Sequence, residues 1–223
     1  MSILFADEKT LTASNNDIKS LFQHTNFELE KVTDWFLANK LALHPAKCKF
    51  ILFFPPNSSE IPTCQIMGKD IERVYQSGKE KYFKYVGIHL DERLTFQSHI
   101  QNIELKITKN LAIMNSAKRL IPLAMKKILY NALIKPYLEY GTEIWGATKK
   151  KYILKLRRLN RRAIRVVFNK SIKESLKDIM QSEGILNVTM LHKFALMKIG
   201  YEISNKICPT SIRNCYDLED PNS

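Results

Sequence analysis

The sequence predicts an α+β protein, with antiparallel strands first and a basic, all-helical part after them. Three observations carry this. Short β-prone runs bounded by turn residues are confined to the stretch before residue 93. From Thr95 onward, apolar residues recur every three to four positions, the spacing of one helix face. The charge divides at the same place. Between Met1 and Glu92, 11 Lys and Arg stand against 12 Asp and Glu; between Arg93 and Ser175, 19 stand against 4; the remainder has 5 against 6.

Ser2 to Ala6 and Lys9 to Ala13 read as the arms of a hairpin with Asp7 and Glu8 at its tip. Ser14 or Asn15 can cap a helix running to about Asn39, with Ile18, Leu21, Phe22, Leu29, Val32 and Phe36 at helical spacing. Lys40 to Lys47 is a loop containing Pro45, and Cys48 to Phe54 reads as a buried strand. Pro55 to Ser59 is a turn, followed by β-type runs at Thr63–Met67, Ile71–Tyr75 and Tyr82–Leu90.

Thr95 can cap a long helix with Ile100, Ile103, Ile107, Leu111 and Met114 on one face. Pro122 suits the first turn of a second helix, to about Lys135. Pro136 opens a third, Tyr137 to Trp145, ending at Gly146. Thr148 to Phe168 is a basic helix, and Ser171–Met180 and Asn187–Asn205 are further helices. The tail from Cys208 is polar and reads as loose.

Composition narrows the function classes. A chain of 223 residues with 45% apolar content can form a real core. The longest unbroken apolar run, Phe50 to Phe54, is far short of the ~20 residues of a membrane span. The first residues have no basic segment followed by a long apolar one, so they do not read as a secretory signal. Cys48, Cys64, Cys208 and Cys215 show no CxxC spacing, which argues against a disulfide framework or a zinc site and for a reducing intracellular compartment, nucleus or cytoplasm. The five His residues show no ligand spacing. An excess of cations in one 83-residue segment calls for a polyanionic partner.

Five segments resemble one family, in its order and spacing. Phe5-Ala6-Asp7-Glu8 resembles the [Tyr/Phe]-Ala-Asp-Asp catalytic turn of reverse transcriptases. Trp35 to Cys48, with Asn39-Lys40-Leu41 and Lys47, is similar to the family's W…NKL.LN..KT stretch. Lys84-Tyr85-Val86-Gly87, with Asp91 and Leu94, resembles its KYLG…D..L.W segment. Tyr130 to Gly141, continuing to Ile144-Trp145-Gly146, resembles the thumb stretch of non-LTR, LINE-like, jockey-type retrotransposon polymerases. Arg162-Ala163-Ile164-Arg165 matches the RAIR that follows in that group.

The resemblance implies an incomplete palm over residues 1–92, a helical thumb and post-thumb region over 93–207, and a tail over 208–223. It implies an RNA-directed DNA polymerase lineage, whose two Mg²⁺ ions clamp the attacking and leaving oxygens. By match, Asp7 is a metal ligand. Glu8 stands where the family has its second Asp, on an arm longer by ~1.5 Å. Lys47 falls at the lysine that can protonate departing pyrophosphate; as a residue it reads equally as a solvated lysine anchoring the next strand. Tyr85, Val86 and Gly87 fall at the primer grip. The earlier Asp strand and the fingers have no counterpart in these 223 residues. The chain by itself is therefore expected not to polymerise DNA.

The expected partners are template RNA and DNA primer, or their duplex, with no membrane and no small-molecule cofactor. Lys149, Lys150, Lys151, Lys155, Arg157, Arg158, Arg161, Arg162 and Arg165 fall within one helix. Arg158, Arg161, Arg162 and Arg165 share a face by their i, i+3, i+4, i+7 spacing, and guanidinium forks grip phosphates whatever the base sequence. Ile153, Leu156, Leu159, Ile164 and Val167 supply the opposite, apolar side. Tyr130, Tyr137, Tyr140 and Trp145 read as packing residues rather than base-stacking ones. A second reading keeps the chain as a sequence-tolerant binding module without catalysis, and a third as a decayed element or partial gene product.

Overall fold

The computed structural model describes residues 2–5, 8–54, 61–75 and 78–213. The chain divides into two compact units, Met1–Leu94 and Thr95–Ser223. It is broadly α+β, with helices dominating and strands that are all short.

In the first unit, β1 (Ser2–Phe5) and β2 (Glu8–Leu11) form the expected antiparallel hairpin, with Phe5 opposite Glu8. Asp7 lies outside the described residues, as does the Pro55–Ser59 segment. Helix α1 (Ile18–Ala38) starts later than expected. Its cap is Asp17, whose carboxylate accepts the Ser20 N–H at 2.7 Å, while Asn15 holds the Asp17 N–H at 3.1 Å. That backbone bond holds the Asp17 carboxyl below its usual range.

Lys40–Lys47 is a loop that ends in a 3₁₀ turn, Pro45–Lys47. The buried strand expected over Cys48–Phe54 is not formed as such. Only β3 (Lys49–Phe50) is a strand, half-buried, and Phe53 and Phe54 are exposed. It pairs in parallel with β6 (Glu72–Arg73). A ladder two residues long cannot bury a seven-residue run. Between them, β4 (Gln65–Ile66) and β5 (Lys69–Asp70) make a hairpin. The Tyr82–Leu90 run is also a hairpin rather than one strand: β7 (Phe83–Tyr85) turns back into β8 (Ile88–Leu90). Val86 (φ 43°) and Gly87 (φ 80°) make the turn, both with positive φ as a type I′ turn requires.

The core of this unit gathers Phe22 of α1 with Cys64, Ile66 and Ile71, and Phe50 meets Phe22 edge-on at 5.7 Å. The Asn26 side chain tethers α1 to the β4 segment, donating to the Thr63 carbonyl and accepting the Gln65 N–H. Burial pushes the Cys64 thiol up to about 11, so it is packing rather than a nucleophile.

The second unit is helical. In α2 (Gln97–Ala117) the five residues expected on one face are all buried. Thr95 does not sit at the cap position, which Phe96 holds in the left-handed region (φ 55°). Its hydroxyl still accepts the Gln97 N–H at 3.4 Å, and its carbonyl takes the Thr148 hydroxyl at 2.6 Å. Helix α3 (Leu123–Leu133) follows Pro122.

The single helix expected over Tyr137–Trp145 is broken into α4 (Lys135–Glu139) and α5 (Thr142–Trp145). Gly141 turns the chain with φ 63°, and the Trp145 indole N–H satisfies the Tyr140 carbonyl at 2.9 Å. Tyr130 and Trp145 are core residues as expected; Tyr140 is not, because the break leaves it 54% exposed. After Gly146 comes α6 (Lys150–Phe168). A Cβ on Gly146 would collide with the Thr142 carbonyl and the His192 ring, so the later helix that carries His192 seats close on α5 only because this residue is glycine.

The helix expected over Ser171–Met180 starts late, as α7 (Lys177–Ser182). The Glu174 carboxylate holds the Ser171 N–H and the Lys170 amine, both at 2.7 Å, which fixes 171–174 as a turn. Helix α8 (Val188–Ser204) matches its expected span, with Asn187 capping it through the Met190 N–H. The tail carries a one-turn helix, α9 (Thr210–Arg213), where a loose segment was expected; residues from 214 lie outside the described ones. No helix among the described residues is long and apolar enough to cross a membrane.

Candidate nucleic-acid interface

Helix α6 divides cleanly by face. Tyr152, Leu156, Leu159, Ala163, Ile164 and Val167 are buried against the rest of the unit. At 100° per residue they fall opposite an arc of ~160° that carries Lys150, Lys151, Lys155, Arg157, Arg158, Arg161 and Arg162, all exposed. Lys149, at the helix cap, is exposed as well.

The buried side fixes the helix in place. Tyr152 donates its hydroxyl to Gln97 of α2 at 2.6 Å. Tyr130 of α3 donates to Oδ1 of Asn160 at 2.8 Å, inside the core. That burial raises the Tyr130 phenol to about 12, against a smaller opposing effect of the Asn160 bond. At the C-terminus Asn169 adopts the left-handed conformation (φ 51°) and accepts the buried Lys126 amine at 3.0 Å. Asn160 and Lys126 were not singled out from the sequence. The available signal was a polar residue at a buried position of an otherwise apolar face.

Among the described residues, the exposed side has one acidic partner, at its edge. Lys155 reaches Glu104 of α2 at 3.5 Å, an exposed pair worth at most ~1 kcal/mol. Lys151 lies over its neighbour Tyr152. Among the described residues, Arg157, Arg158, Arg161 and Arg162 make no ion pair or hydrogen bond. The pairs Lys151/Lys155, Arg157/Arg161 and Arg158/Arg162 are like charges four residues apart, each costing ~0.2–0.5 kcal/mol. A polyanion laid on this face relieves that repulsion.

Arg165 departs from the expected row. It is half-buried, and its guanidinium donates to the carbonyls of Ser171, Ile172 and Glu174 at 2.9, 3.1 and 3.4 Å. It braces the turn after α6 instead of presenting a free fork.

The residues of the resemblance are placed as follows. Glu8 opens β2 opposite Phe5. Lys47 is exposed at the end of the 3₁₀ turn before β3, and its amine makes no hydrogen bond or ion pair among the described residues. Tyr85 ends β7, and Val86 and Gly87 form the exposed turn. Among the described residues no group of three or more His, Cys, Asp or Glu side chains could hold a metal ion.

No family model and no solved structure matches this chain. Curated relatives do. The chain is 26% identical over 164 residues to the RNA-directed DNA polymerase from mobile element jockey of Drosophila melanogaster, covering 72% of this chain and 17% of that protein. It is 22% identical over 167 residues to the jockey polymerase of Drosophila funebris, covering 73% and 17%. It is 30% identical over 88 residues to the probable RNA-directed DNA polymerase from transposon X-element of Drosophila melanogaster, covering 38% and 10%. The chain thus spans 17% or less of the length of these relatives. By this likeness the chain is a relative of the RNA-directed DNA polymerases of non-LTR retrotransposons.

Proposed function

We propose that the chain binds an RNA–DNA template–primer duplex through the exposed face of α6, as the thumb region of a reverse transcriptase lineage. The observation that carries this is the row Arg157, Arg158, Arg161 and Arg162, held on a fixed helix with no acidic partner among the described residues. Guanidinium groups so placed grip backbone phosphates and are indifferent to base sequence. The Val86–Gly87 turn supports a primer-grip role for Tyr85 to Gly87. Strained backbone concentrates at functional turns, and Val86 is a β-branched residue at positive φ.

The isolated chain is proposed to bind without extending a primer. Asp7 and Glu8 stand where the family has its catalytic turn, and no other acidic segment of these 223 residues resembles the family's earlier Asp strand. Fluorescence anisotropy on a labelled RNA–DNA hybrid tests the first part. Engagement of about six phosphates lowers affinity on the order of 10³-fold between 50 and 200 mM salt. An affinity that is flat in salt overturns it. Incubation of the purified chain with primed template, deoxynucleotides and Mg²⁺ tests the second part, and sustained primer extension overturns that.

A further inference from the structure

We infer that the outer face of α8 docks an amphipathic helix whose apolar stripe is flanked by acidic residues. Helix α8 is apolar nearly all round. Val188, Leu191 and Ile203 are buried on its inner side. On the opposite side Met190, Phe194, Met197 and Tyr201 are 53, 62, 72 and 63% exposed. A helix that is apolar on both faces is ordinarily covered on both.

The spacing identifies the shape of the occupant. The four residues follow a 4-3-4 repeat, which is the a/d seam of a helix–helix contact. Four large side chains, each more than half exposed, offer roughly 600 Å², close to the ~800 Å² that each side of a standard interface contributes.

The flanks identify its charge. Lys193 and Lys198 border the seam on either side, both exposed. The single acid of α8, Glu202, lies toward the inner side, where it sits 3.9 Å from Lys198. A second copy of this chain would set lysine against lysine across an antiparallel seam. A helix with Glu or Asp at its flanking positions meets both lysines with opposite charge.

The test uses the full 223-residue chain and two synthetic helices of about three heptads, with Leu at the a and d positions. One carries Glu at e and g, the other Lys. The Glu helix is expected to bind at least tenfold tighter than the Lys helix. Met197→Glu is expected to abolish that binding without changing the circular dichroism spectrum, since the side chain lies outside the core. The double variant Lys193→Glu, Lys198→Glu is expected to reverse the preference. Equal binding of both helices, or of neither, overturns the inference. So does a dimer in sedimentation that Met197→Glu dissolves, which makes the occupant a second copy. Binding of a single-stranded oligonucleotide that Phe194→Glu removes overturns it as well, in favour of base stacking.

Discussion

Nε of Arg165 donates to the carbonyl oxygen of Ser171 at 2.9 Å, and this contact separates two kinds of arginine on one helix. Arg161, one turn earlier, makes no such bond among the described residues. The sequence places both on the same face, yet the structure gives Arg165 to the fold.

Arg165→Ala should therefore lower stability by ~1–2 kcal/mol, the low end of the scale for hydrogen bonds made by a charged donor because these bonds are exposed to solvent. Its affinity for an RNA–DNA hybrid should change less than about threefold. The double variant Arg161→Ala, Arg162→Ala should do the reverse. It should leave the melting temperature near wild type and flatten the log–log salt dependence by about two units. Thermal melts and anisotropy titrations on the same preparations check both halves.

Tyr130→Phe should cost ~1–3 kcal/mol, because it strands the buried Oδ1 of Asn160 without a donor. Pairing it with Asn160→Leu removes both polar groups and should recover part of the loss. Urea unfolding of the single and double variants measures the coupling.

Val86→Asn should stabilise the first unit by about 1 kcal/mol. Asn-Gly is the favoured pair for a type I′ turn, while a β-branched residue at φ 43° is strained. If this turn serves as the primer grip, hybrid affinity should change with it. Proteolytic resistance of residues 1–94 and anisotropy report the two effects separately.

Glu174 supplies a pH signature. Its bonds to the Lys170 amine and the Ser171 N–H hold its carboxyl down at about 2, against an ordinary value of 4.5. A depressed carboxyl stabilises the turn above the unfolded value and releases it as pH falls through the folded one. Amide protection at Ser171 should thus hold at pH 5 and fade between about pH 4.5 and 2. In Glu174→Gln it should be weak throughout. Hydrogen exchange by mass spectrometry across this range reads both.

Much of the molecule was legible because it depends on local pattern. The buried face of α2, the span of α8 with Asn at each end, and the opposed basic and apolar faces of α6 all follow from residue spacing. The hairpin of β1 and β2 was also readable, since Asp7-Glu8 separates two β-prone runs in the sequence, although Glu8 belongs to β2 and pairs with Phe5 rather than standing at the tip. At the site, eight of the nine cations read from α6 are exposed at its surface.

What the sequence determined by itself is the period of each helix, the sign of its outer face and the kinship with retrotransposon polymerases. Tertiary structure decided where helices stop and which polar groups are used up. Gly141 breaks a helical pattern because Trp145 can satisfy the carbonyl freed at Tyr140. Residues 171–174 leave the helix because Arg165 and Glu174 claim their backbone groups. Cys48–Phe54 loses its strand because only two of its residues find a ladder partner. In each case a backbone group must be paired with something, and whether that partner is the next turn or a distant side chain is settled only by the folded chain.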